Sequence, residues 1–258
     1  MRKSQMLCTL LAAGFSSTVL AETISDAEAD YLSGHLCALS QRITKDYLAI
    51  GAGIRPEAMQ ADMQESMAVF SDELAQLQQY AVEHQLEQPL AELSQNWQAF
   101  TQRIAAEPEL MHANAMSVIN ESNALLAKCN NTVDAVNHQS SSANADLIDM
   151  SEREAALTQR IARDYIAYYW KVPSEQVEQD LMASISQFDE TLTALNNRGN
   201  TSAETRELLG QIQAQWNFSR RGLTLEENAQ LVPVVINSTT NSIYTKMTAL
   251  SKAYTKES

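Results

Sequence analysis

The feature that most constrains this chain is a block that occurs twice. Gln41-Arg42-Ile43-Thr44-Lys45-Asp46-Tyr47 returns as Gln159-Arg160-Ile161-Ala162-Arg163-Asp164-Tyr165, 118 residues later. The same offset carries Leu39 to Leu157, Asp62 to Asp180, Phe70 to Phe188, Leu74 to Leu192, Leu77 to Leu195 and Lys128 to Lys246, and Trp97 meets Trp216 with a shift of one. An ordered, nearly gap-free match of this length predicts one supersecondary unit used twice. The polar run His138-Gln139-Ser140-Ser141-Ser142-Ala143-Asn144 separates the copies and reads as a linker. The expected units are residues 22–138 and 144–258, joined by 139–143 and preceded by a removable segment, 1–21.

Within each copy the apolar period is helical. Leu36, Leu39, Ile43, Tyr47 and Ile50 fall three or four apart, as do Leu157, Ile161, Tyr165 and Tyr168, which defines one face of a helix. Gly51 to Pro56 closes the first helix, and Lys171-Val172-Pro173-Ser174 marks the same corner in the second copy. Met59, Met63, Met67, Phe70, Leu74 and Leu77 form the next stripe, answered by Val177, Leu181, Ile185, Phe188, Leu192 and Leu195. A third helix carries Leu93, Trp97, Phe100 and Ile104. A fourth spans about Leu110–Val136, with its counterpart at about Leu225–Tyr254, where Pro233 kinks the helix or delays its start. With only 7 Gly and 5 Pro in 258 residues, the reading is all-α: two tandem antiparallel helical-bundle units, a pseudo-two-fold arrangement being one way to pack them.

The N-terminus has the parts of a secretory signal: Arg2 and Lys3, the mainly apolar Met6–Ala13, and Val19-Leu20-Ala21 before Glu22. Cleavage after Ala21 takes away two positive charges and no negative ones, so the formal charge of −14 becomes −16. Such a charge disfavours nucleic acid and anionic membrane surfaces as partners. The compartment expected is the periplasm, where an oxidising environment permits a bridge between Cys37 and Cys129. Two small buried thiols satisfy the sequence equally well.

Catalytic patterns are missing. His35, His84, His112 and His138 stand singly, and the chain has no glycine-rich phosphate loop, nucleophile elbow or Cys-x-x-Cys; no enzyme, cofactor or metal is expected. The Met59-Met63-Met67 stripe suits Cu(I) in principle, but its second-copy counterpart is Val177, Leu181 and Ile185, as a core demands. The repeated block is the stronger candidate. On a helix Arg42 and Asp46 lie four apart, as do Arg160 and Asp164, and each is expected to pair. The guanidinium fork also suits a flat oxyanion, so the pairs serve either helix register or a ligand.

Gly34-His35-Leu36-Cys37-Ala38-Leu39-Ser40-Gln41-Arg42-Ile43-Thr44-Lys45 resembles the opening of PilJ/NarX-like sensor domains, approximately G-R-Q-R-M-L-S-Q-R-M-A-K. Glu152 to Arg163 is a second, thinner match. These are periplasmic helical domains of type IV pili chemotaxis transducers and nitrate/nitrite sensor kinases. The resemblance implies a sensor with nitrate or nitrite as the first ligand to consider. In the nitrate sensors an arginine three places before the motif's serine holds the anion across a dimer; here Cys37 and Ala155 stand there. Relatives continue into a membrane helix and an output module, whereas this chain runs to Ser258 with neither. The expectation is therefore a soluble periplasmic protein that recognises a small ligand between helices, near Arg42, Arg160, Tyr47 and Tyr165, or modulates a membrane-bound sensor kinase or chemoreceptor. A ligand-free helical scaffold is the alternative.

Overall fold

The computed structural model describes residues 23–172, 174–225 and 230–258; the secretory signal expected at residues 1–21 and Pro173 of the second corner lie outside it. Eight α-helices are described: α1 (Asp26–Gly51), α2 (Pro56–His84), α3 (Glu87–Ala106), α4 (Ala115–Gln139), α5 (Ala145–Tyr169), α6 (Glu175–Arg198), α7 (Ala203–Gly222) and α8 (Pro233–Lys256), with a 3-10 turn at His112–Asn114. There is no strand among the described residues.

Local chemistry sets the ends. Ser25 caps α1 by accepting from the Glu28 amide, and Ser174 caps α6 through the Gln176 amide. Ser202 and Thr205 form a reciprocal capping box on α7. Pro56 and Pro233 sit in the first turns of α2 and α8, where their missing amide costs nothing. Pro233 therefore delays α8 rather than kinking it. Gly53 has φ 71° in the corner between α1 and α2, a conformation glycine adopts without penalty.

Helix pairing repeats in the two halves. In the first, α1 packs on α2 and α4, and α3 on α2 and α4; in the second, α5 packs on α6 and α8, and α7 on α6 and α8. Phe70 stacks on Trp97 at 3.9 Å between ring centroids, and Phe188 lies 4.2 Å from Trp216. The halves do not stand apart. The most extensive packing in the molecule is α1 against α5, side by side and in the same direction. This corrects the one-face reading of the first helix: 21 of the 26 residues of α1 are buried, among them Asp30, His35, Gln41, Lys45 and Asp46. A helix buried on every side must satisfy its polar groups internally, and that requirement builds the interior described next.

Candidate functional site

The lower part of the α1–α5 contact is a layer of buried charge. Lys45 and Asp46 meet at 3.1 Å, and Arg163 and Asp164 at 2.7 Å, all four essentially inaccessible. Each cation then crosses to the other half. Lys45 donates to Asn241 of α8, while Arg163 donates to Asn123 of α4 at 2.8 Å and to Gln41 of α1 at 2.7 Å. Lys45 and Arg163 are 118 apart, as are Asn123 and Asn241, so the exchange is reciprocal. Burial lowers the Lys45 pKa and raises those of Asp46 and Asp164, and the paired cations oppose the rise. The layer fixes α1 and α5 in register.

The expected Arg42–Asp46 pair is not what forms, because Asp46 is engaged by its neighbour Lys45. Arg42 instead reaches Asp62 of α2 at 3.9 Å and lies 5.2 Å above the Tyr244 ring. Arg160 reaches Asp180 of α6 at 3.4 Å, and its contact with Asp164 is long, 3.8 Å. Both arginines keep a buried Nε without a hydrogen-bond partner. Tyr47 and Tyr165 are fully buried. The Tyr47 hydroxyl donates to the Glu107 carbonyl, and that of Tyr165 accepts from the Val232 amide at 2.9 Å. They anchor the segments leading into α4 and α8 and do not line the cavity that Arg160 faces.

That cavity, of about 110 Å³, lies on one flank of the α1–α5 contact. Its polar wall is Arg153 and Arg160 of α5, Asn130 of α4 and Gln187 of α6, and its α1 side is Gly34 and Cys37. Cys37 is joined to Cys129 of α4, with Cα atoms 5.5 Å apart, so a bridge stiffens the wall between α1 and α4. Arg153 is held by Asp149 at 2.8 Å and Asp134 at 2.9 Å. Two guanidinium groups and two amides around a small void are a donor set for a small anion.

On the opposite flank the corresponding positions are filled. Glu152 stands for Gly34, His35 for Arg153, Tyr244 for Leu126 and Arg42 for Arg160, each at the 118 offset. His35 Nδ1 pairs with Glu73 at 2.8 Å and Nε2 with the Tyr244 hydroxyl at 2.7 Å.

Of the residues read from the sequence, the structure brings Arg160 and Cys37 to the cavity and leaves Arg42, Tyr47 and Tyr165 elsewhere. Arg153, Asn130 and Gln187 were missed, as were the roles of Lys45 and Arg163. The last two had a visible signal: a basic residue stands immediately before the aspartate in both blocks.

The family model for the N-terminal domain of type IV pili methyl-accepting chemotaxis transducers, PilJ, matches residues 18–129. The first half of the chain is thus similar to the N-terminal domain of these transducers. No curated protein and no solved structure matched the chain. Among the described residues, no helix is long and apolar enough to cross a membrane.

Proposed function

We propose that this is an exported, non-enzymatic periplasmic sensor protein. Its two PilJ/NarX-like halves form one body that binds a small oxyanion and passes the bound state to a membrane-bound receptor or kinase. The observation that carries the reading is the cavity at the α1–α5 contact, walled by Arg153, Arg160, Asn130 and Gln187. A cavity of about 110 Å³ is large enough for a small group such as nitrate, nitrite or a small carboxylate. The signal pattern of residues 1–21 supports export. The test is calorimetry on residues 22–258 with nitrate, nitrite, formate and sulfate, repeated with Arg160→Ala. Binding that the variant loses supports the site; silence across the panel removes it.

The aspartates already facing both arginines favour a second reading, a helical scaffold with no small ligand. A scaffold captures the same partners from periplasmic extract whether or not anions are added.

A further inference from the structure

The filled flank holds a group that nothing else in the fold accounts for. Glu152 is wholly inaccessible, and neither of its carboxylate oxygens has a hydrogen-bond partner. It lies at a close approach of the two central helices. A Cβ placed on Gly34 would sit 2.5 Å from the Glu152 Cβ, so only glycine lets α1 and α5 approach with a glutamate between them. Around it stand His35 and Tyr31 from α1, Glu73 from α2, and Tyr244 and Lys252 from α8. Glu73 already has His35 as its donor, and the Tyr244 hydroxyl occupies the other imidazole nitrogen. Lys252 is drawn over the Tyr31 ring, 5.1 Å from its centre. The carboxylate without a donor in this group is that of Glu152. An ionised carboxylate so placed is costly, and the accessible remedy is a proton.

We propose that Glu152 is a proton-binding site at the α1–α5 contact, and that its protonation strengthens anion binding in the cavity on the other side of Gly34. The second half of this statement rests on the anion reading given above. Gly34 is common to both places: one side of it meets Glu152 and another lines the cavity. Arg153, the next residue on α5, is part of the cavity wall. A negative charge on Glu152 therefore acts on the bound anion through a dry interior, where charges are poorly screened. Burial pushes the Glu152 carboxyl up to about 7; His35, the Ser251 hydroxyl (close by but outside hydrogen-bonding geometry) and Lys252 pull it down, and Glu73 raises it. The proton is thus taken up and released near neutrality.

Two measurements decide it, each on the mature protein and on Glu152→Gln. The first needs no anion: urea unfolding from pH 5 to pH 8. The wild-type midpoint should fall relative to the variant as pH rises through about 7, and parallel curves for the two proteins would overturn the proton site. The second is nitrate calorimetry at pH 6 and pH 8. Affinity should drop severalfold in the wild type, as an added negative charge in a poorly screened interior requires, and stay level in the variant. An equal drop in both proteins, or none in either, overturns the coupling. Absence of nitrate binding at both pH values removes the anion reading and the coupling with it, while the unfolding curves still decide the proton site.

Discussion

The two flanks of the α1–α5 contact are built from corresponding positions and have become different objects. Where Gly34 leaves space, Arg153 and Arg160 border a void. Where Glu152 stands instead, Tyr244 and the His35–Glu73 pair fill the volume. Bracing differs in the same sense. The open flank is stapled by Cys37–Cys129, whereas the corresponding positions in the second half, Ala155 and Met247, are simply buried. The two halves thus share a pattern of helix pairing, and a few side chains decide whether a place in it stays open or packs shut. The charged layer below is the exception: Lys45 and Arg163 play the same part in both halves.

That common part gives the largest expected effect. Arg163→Ala strands the Asp164 carboxylate in the interior and should cost about 3–5 kcal/mol, as breaking a buried pair does. Lys45→Ala should cost less, since Lys45 gives its crossing hydrogen bond to Asn241 alone while Arg163 gives two, to Gln41 and Asn123; urea unfolding of the two variants compares the halves directly.

Reduction of Cys37–Cys129, which spans 92 residues, should lower stability by about 2–4 kcal/mol. Unfolding with and without reductant, followed separately through Trp97 and Trp216 by substituting the other tryptophans with Phe, shows whether the loss is confined to the stapled half.

Glu152→Gln sharpens the contrast between the flanks through pH. The folded carboxyl is raised from 4.5 to about 7, so its favourable contribution is complete below the ordinary carboxylate range and is lost as pH rises through 7. At about 1.36 kcal/mol per unit, the variant should exceed the wild type by up to about 3 kcal/mol at pH 8, and the gap should close towards pH 4.5.

Gly34→Ala brings a methyl group against the Glu152 side chain and should destabilise by about 1–3 kcal/mol, with loss of anion binding as α1 is pushed from α5. The smallest stability effect belongs to the outer arginines. Arg42→Ala and Arg160→Ala remove half-exposed ion pairs and should each cost under about 1 kcal/mol. Of these two, Arg160→Ala alone should abolish anion binding; equal loss from Arg42→Ala would erase the distinction between the flanks.

Much of the fold was legible because helical period and turn residues are local properties. The stripes of Phe70, Leu74 and Leu77, and of Phe188, Leu192 and Leu195, lie buried as their spacing requires, and Pro56 and Pro233 open helices. The site was less legible. Arg160 was found because it belongs to the repeated block, yet its partner Asp180 lies on another helix and appeared only as one more match at the offset. Arg153 and Gln187 carried no motif at all. Asp46 was assigned to Arg42 by the four-residue rule, but the adjacent Lys45, equally dry, takes it in the interior.

The sequence by itself determined that this chain is helical and that an arginine–aspartate block recurs 118 residues on, each time within an apolar helical stripe. Tertiary structure alone decided that the two first helices lie against each other. Periodicity measures which face of a helix avoids water and carries no information about which partner covers it. Once α1 and α5 pair, residues 118 apart in sequence become neighbours across the contact. The choice of Gly34 opposite Glu152 then leaves a cavity on one side and a buried, unpaired acid on the other.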